Sequence, residues 1–571
     1  MKMASRYRVA SGSLLAAPMI MLCAMEPASA FNFNLSDPDM SLRWDNTVRY
    51  NLGFRAQDCD KNICGNDQGR GDVTAYQSDR KFAHAGDVVT NRIDILTEMD
   101  FVYKGRHGAR LSANGWYDAA YDGDLKGDRV LDASGAGQGA GRSGSGYTGY
   151  TDRWNNGPSG EIADAFIFSG FDIGNVPVDF KAGQHNIYWG ESLFSTVNGV
   201  SYNQGPIDIR KATATPGTEA KELFKPLNQI SMNAQVTPDL AVAAQYLFDW
   251  KPSVLPDGGT YFGAADGVSL GKGGTVFGAP FDPDSEPNKK HGDWGVSARW
   301  SPAWLDGTMG LYYREYTNKF PQLVLNDIAI VPGGGVVPAG FGLEYSADKR
   351  EKMFGFSLTK QIFGVAVGTD LTYRPDAVLT ATPFQTYVPV GSDPDGWVPR
   401  GDLWSGVVNA IAYFSKSPLW DSASLTTELN YSYLDKVTEN EQNYNGKGYN
   451  CADDSRATKI ACQTRGAIGG SVQFVPTWYQ VMPGVDLTMP LFLDMGLHGN
   501  SPVMFGANEG QGTWSVGLAA DIYQQYNVAV KYNGFIARHS NDELGAAGSS
   551  NASLGKYWDR DWVSLTFKTS F

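Results

Sequence analysis

The stretch that decides the fold is D561-W-V-S-L-T-F-K-T-S-F571. In it Val563, Leu565, Phe567 and the terminal aromatic Phe571 alternate with Ser564, Thr566, Lys568 and Ser570. A strand with one apolar and one polar face suits a soluble sandwich, in which the apolar side packs on a core. It equally suits an outer-membrane barrel, in which the apolar side meets lipid and the polar side a lumen. The alternation alone leaves both open, and the other end of the chain separates them.

Residues 1–30 read as an export address. Lys2, Arg6 and Arg8 form a positive n-region, an apolar run extends from Leu14 to Met25, and Ala28 and Ala30 hold the small-residue cleavage positions. This is the pattern of a secretory signal peptide, expected to be cleaved after Ala30. Losing Lys2, Arg6, Arg8 and Glu26 takes the formal charge from −14 to −16. No later segment approaches 18 consecutive apolar residues, so no membrane-spanning helix is expected. An exported chain of this kind can still reside in a membrane as a closed barrel. Composition agrees: aromatic residues make up 12 % and mean hydropathy is negative, because half the strand residues and all the loops of a barrel face water.

Period-2 alternation bounded by turn residues recurs along the whole chain. Eighteen windows are expected to be strands, from Leu42–Phe54 and Arg92–Tyr103 to Val528–Ala537 and Trp558–Phe571, with sixteen or fourteen as alternatives. Connections after even windows are short, as in "KGRHG" (104–108), "DIGN" (172–175), "TPD" (237–239), "QIFG" (361–364) and "YQQYN" (523–527). Those after odd windows are long. A soluble sandwich has no reason to gather its long loops on one edge, whereas a transmembrane barrel has turns at the periplasm and loops outside. The expected fold is therefore all-β: an antiparallel up-and-down transmembrane barrel over residues 31–571, with a partly plugged lumen. The last strand closes it through Val563, Leu565, Phe567 and Phe571.

The alternation also assigns faces. Ile93, Ile95, Met99, Phe101 and Tyr103 should face lipid, as should Leu42, Trp44, Val48, Tyr50, Leu52 and Phe54. Leu240, Val242, Tyr246, Phe248 and Trp250 should do so in the seventh window. Arg43, Asp45, Arg49 and Arg55, with Arg92, Asp94, Glu98 and Asp100, should face the lumen. Their charges either pair with one another and hydrate the interior or line a path. Past the leader, the four cysteines fall in two close pairs, Cys59 with Cys64 and Cys451 with Cys462. An even count in an exported chain suggests local disulfides, and neither spacing is the two-residue one typical of zinc sites.

Two segments stand out. Residues 189–226 are too long for an ordinary hairpin loop and are expected to fold in part into the lumen. A helix is expected over 219–224. That would place Trp189, Glu191, Tyr202, Asp208 and Arg210 near a constriction; the competing reading makes Trp189 an aromatic of the membrane boundary. The second is "FPQLVLNDIAIVPGGGVVPAGFG" (320–342), an external yet apolar loop. Its Phe320, Leu323, Val324, Leu325, Ile328 and Ile330 either pack over the mouth or form an apolar entry site. Asp122, Asp124, Asp128 and Asp132 do not match the calcium-loop spacing, and "GKGGT" lacks that of a phosphate loop. No enzymatic activity, cofactor, metal or nucleic-acid partner is expected.

The stretch "GQHNIYWGESLFSTVNGVSYNQGPIDIRKATATPGTEAKELFKPLNQISM" (183–232) resembles the proteobacterial outer-membrane family catalogued as domain of unknown function 1302. Gly183, Gln184, Trp189, Gly190, Glu191 and Ser192 carry the likeness, followed by Pro206, Asp208, Pro216, Gly217, Glu219 and Lys221. "RWDNTVRYNLGFR", "NRIDILTEMDFVYKG", "WYDAAY" and "VDLTMPLFLDMGLHGNSPV" extend it over the mature chain. This chain departs from the pattern at His185 and in having "NQGPID". The resemblance implies a barrel in the outer membrane of a Gram-negative bacterium, reached by Sec-type export and amid outer-membrane lipid and lipopolysaccharide. It also implies assembly by the barrel-assembly machinery through the C-terminal strand. The partners implied are a periplasmic lipoprotein-carrier-like protein and an inner-membrane exporter. The function expected is a conduit for a hydrophobic or amphiphilic small molecule, with a polar-solute porin and a sealed structural barrel as alternatives.

Overall fold

The computed structural model describes residues 31–33, 35–59, 81–123, 147, 149–218, 220–263, 274–276, 279–285, 291–331, 334–346, 349–382, 386–388, 396–451, 462–537 and 557–571. The leader, Cys64, Glu219 and the acidic run from Asp124 to Asp132 lie outside these residues.

Eighteen antiparallel strands form a closed barrel. In chain order they are β1 (Met40–Arg55), β2 (Val88–Tyr103), β3 (His107–Asp118), β4 (Ser159–Ile173), β5 (Val176–His185) and β6 (Leu227–Thr237). Then come β7 (Leu240–Leu247), β8 (Trp294–Trp300), β9 (Gly307–Tyr316), β10 (Glu351–Ile362), β11 (Val365–Val378) and β12 (Arg400–Phe414). The last six are β13 (Ser422–Glu439), β14 (Gly466–Met482), β15 (Val485–Thr488 with Leu491–His498), β16 (Gly512–Ile522), β17 (Tyr526–Ile536) and β18 (Trp562–Ser570). Each neighbour pairs with the next, and β18 returns to β1 with Leu565 opposite Leu52 and Phe567 opposite Tyr50. Beyond the strand, Phe571 and Asn46 exchange two backbone hydrogen bonds of 2.7 and 2.8 Å.

The two faces follow from the alternation. Ile93, Ile95 and Met99 are exposed on β2, while Arg92, Asp94 and Glu98 between them are buried. On β18 Leu565 is exposed and Ser564 and Thr566 are buried. The exposed aromatics Phe363, Tyr413, Tyr479 and Tyr523 gather at the turn edge, where indole and phenol rings suit a membrane–water interface. No helix among the described residues is long and apolar enough to cross a membrane; the crossing is made by strands.

Three local differences from the expected pattern have physical reasons. The window read as Val485–Met495 is interrupted before Leu491 by Pro490, which has no N–H for the ladder. Trp250, expected to face lipid, is buried: β7 ends at Leu247 and the chain bends at Phe248, so strict alternation no longer applies. Its indole instead donates to the Asn318 carbonyl at 3.2 Å and packs edge-on against Tyr345. The third lies outside the barrel. The apolar stretch is a hairpin, Gln322–Val331 against Gly335–Glu344, joined by Ala279–Ser285 and Gly274–Val276 into a separate four-stranded sheet.

Candidate functional site

β5 ends at His185, just after Gly183 adopts φ +124°, where a Cβ would stand 2.3 Å from the Ala165 carbonyl oxygen. From there residues 186–226 hydrogen-bond to inward-facing side chains around the wall. Two carboxylates on that wall do most of the holding. Asp370 on β11 accepts from the Glu191 and Val200 backbone N–H groups at 2.9 and 3.0 Å. Glu428 on β13 accepts from three successive N–H groups, Leu193 at 2.6 Å, Phe194 at 3.2 Å and Ser195 at 2.5 Å. Successive N–H groups make a concave anion site, and the ionised acceptor strengthens each bond. Gly190, at φ +89°, rests on Asp370, and a Cβ there would sit 2.5 Å from the carboxylate.

Other contacts distribute the hold. Arg314 on β9 donates to the Val200 and Tyr202 carbonyls at 2.9 and 2.8 Å, and Asn409 on β12 donates to that of Glu191. Lys319, fully buried, bridges Asp293 and the Asn203 carbonyl, each at 3.1 Å. Burial lowers its pKa and Asp293 opposes the shift, leaving it below the ordinary value. Arg49 on β1 grips Glu222 with two bonds of 3.0 Å and reaches the Gly217 carbonyl. Lys211 and Lys225 share Glu161 on β4 at 3.2 and 3.3 Å.

The five residues of the anticipated constriction are spread over this segment rather than gathered at one point. Trp189 is buried against Val200 and Tyr312. The Glu191 carboxylate lies 3.4 Å from Arg299. Burial raises its pKa, Arg299 opposes the rise and Asp370 adds to it, leaving the group above its ordinary value. Tyr202 is stacked on Phe320 and covered by the Arg374 guanidinium at 4.1 Å. Asp208 caps a short helix, Ile209–Ala214, accepting from the Lys211 N–H at 2.9 Å and pairing with Arg210 at 2.6 Å. Burial opposes its ionisation, but Arg210 and Lys211 hold it below the ordinary value. Arg210 also lies over the Trp154 ring and donates to the Trp154 carbonyl. The helix expected over 219–224 spans Ala220–Leu223.

The lumen charges expected on the first two strands are paired. Arg92 holds Asp94 at 2.8 Å, and Arg110 holds both Glu98 and Asp100. Arg43 pairs with Asp45 at the open turn end. In the external stretch, Val324 is buried with Val378, Ala381, Val388, Trp397 and Val398. Phe320 turns into the mouth against Tyr202 and Phe505. Leu323, Leu325 and Ile328 are half-buried, and Ile330 is 79 % exposed at the tip. Cys451 is bonded to Cys462, and Cys59 is disulfide-bonded.

Two cavities touch the inward segment. One of about 360 Å³ lies towards the turns, lined by Asn186, Ile187 and Trp189 with Asp179, Lys181 and Arg299. The other, about 340 Å³, lies towards the loops, lined by Phe194, Val197, Ile207, Ile209, Phe320 and Phe505 among others. Asp370, Glu428, Arg314 and Asn409 escape a reading of sequence alone. Each is legible as an inward polar position in a strand, but its partners lie more than 100 residues away.

The family model described as protein of unknown function (DUF1302) matches residues 11–571. No curated protein matches the chain. Among solved structures, the outer membrane channel DcaP of Acinetobacter baumannii is 11 % identical, with 94 % of this chain and 99 % of that one covered and a TM-score of 0.36. OccK9 (OpdG) of Pseudomonas aeruginosa is 8 % identical, covering 93 % and 98 %, with a TM-score of 0.41. A BenF-like porin from Pseudomonas fluorescens Pf-5 is 9 % identical over the same shares, with a TM-score of 0.38.

Proposed function

The chain belongs to the DUF1302 family, and from that premise we propose that it is an outer-membrane conduit for a hydrophobic or amphiphilic small molecule, with residues 189–226 as its constriction. The observation that carries this reading is an apolar cluster inside a barrel in which many wall charges are engaged by ion pairs or by backbone N–H groups. Val197, Tyr202 and Phe320 pack with Tyr316, Met353 and Leu403 as one buried apolar cluster, and the 340 Å³ cavity opens beside it. Engaged charges give a polar solute few free partners, and a cavity of this size with a mixed apolar and polar lining falls within the range of small-molecule sites. The periplasmic carrier-like and inner-membrane partners implied by the family resemblance belong to the same proposal.

A second reading, a polar-solute porin, draws on the turn-side cavity, where Lys181 and Arg299 stand with Asp179. Single-channel conductance of the purified barrel in a planar bilayer separates the two. The wild type is compared with a deletion of residues 192–215. The conduit reading expects a silent wild type and conductance in the deletion. Steady, large conductance in the wild type overturns it in favour of the porin. Silence in both, with folding of each verified, overturns it in favour of a sealed barrel.

A further inference from the structure

The loop-side cavity has a chemistry of its own, and it rests on the inner faces of three adjacent strands. Asn430 on β13 stands opposite Gly469 on β14, and Ser471 on β14 opposite Asp494 on β15. Ser471 donates to one Asp494 oxygen at 2.6 Å. Among the described residues no Lys, Arg or His lies within ion-pair distance of that carboxylate, and none lines the cavity. Asn430 is 5 % exposed, and its side-chain oxygen is buried without a hydrogen-bond partner. Phe194, Phe320 and Phe505 line the same cavity. Asp370 and Glu428 elsewhere on the wall each accept several backbone N–H groups, whereas among the described residues Asp494 accepts from the Ser471 hydroxyl alone.

We propose that this cavity binds a small hydrophobic amine, with its ammonium group at Asp494 and its apolar body among the phenylalanines. The proposal rests on the conduit reading and names the class of its cargo. A carboxylate set in apolar surroundings without a counter-ion is costly unless a cation joins it. Aromatic faces add to the attraction for a cation, and a net charge of −14 draws cations to the molecule. A carboxylate head would meet Asp494 as a like charge. An alcohol could donate one hydrogen bond but bring no charge.

The test uses three probes with one body: 1-naphthylmethylammonium, 1-naphthylmethanol and 1-naphthoate, titrated by calorimetry into the purified full-length barrel in detergent. The expected order is ammonium, alcohol, carboxylate, with the ammonium at least tenfold tighter than the carboxylate. Asp494→Asn should erase the difference between ammonium and alcohol while leaving alcohol binding within about threefold. Ala507→Phe, which fills the cavity from its loop wall, should abolish binding of all three and serves if the first variant does not fold. Equal binding of all three probes overturns the amine assignment and leaves the conduit reading standing. Tightest binding of naphthoate overturns the assignment too, as does an Ala507→Phe variant that binds like the wild type. Failure of all three to bind removes both the assignment and the cavity on which the conduit reading relies.

Discussion

Asp370 and Glu428 are buried at 2 % and 1 % exposure, and each spends its charge on backbone N–H groups of residues 191–200. An unpaired carboxylate at such a place would be unfavourable, so the wall and the segment hold each other in position. Hydrogen bonds to a charged acceptor contribute about 1.5–3 kcal/mol each, and a buried group left unsatisfied loses about 1–3 kcal/mol. Glu428→Gln keeps the shape but removes the charge and sets an NH2 group against at least one of the three N–H donors. We expect the amides of residues 193–195 to exchange their hydrogens at least tenfold faster, read by mass spectrometry, while exchange in β13 itself stays within threefold of the wild type. Unchanged exchange at 193–195 would mean that Asp370 and Arg314 suffice to hold the segment.

Elements outside the barrel divide into a packed base and a free tip. In the hairpin Gln322–Val331 with Gly335–Glu344, Val324 is buried in a cluster of six residues, whereas Ile330 is largely exposed. Removing buried methyl groups costs about 0.8 kcal/mol per carbon, with more where a cavity remains. Surface changes usually fall within about 0.5 kcal/mol. Val324→Ala should therefore loosen the hairpin by about 1.5–3 kcal/mol of local stability, and Ile330→Ser should not. Hydrogen exchange of the hairpin amides distinguishes them, and equal effects of the two substitutions would show that the base is not what anchors the hairpin.

At the scale of the molecule, stability depends on closure. β18 pairs with β1 on one side and β17 on the other, so removing residues 562–571 leaves two open edges in lipid. Each unsatisfied backbone group there costs several kcal/mol. The truncated chain should fail to give the compact, heat-sensitive gel mobility of a folded barrel, and normal mobility would show that β17 re-pairs with β1. The order of strands and the alternation of Ile93, Ile95 and Met99 with Arg92, Asp94 and Glu98 were legible in the sequence. A barrel strand is a local object: its period of two, its length and its turns are written in adjacent residues. Trp250 marks the limit of that reading, because alternation stops where the strand stops. The site was legible only as a segment too long for a loop. Which carboxylates hold it, that Asp208 spends its charge on a helix cap and Arg210, and that Asp494 shares a cavity with Phe194, Phe320 and Phe505 were decided by the tertiary structure. The physical reason is separation along the chain: Asp370 and Glu428 bind groups about 170 to 235 residues away, and only closure of eighteen strands brings them together.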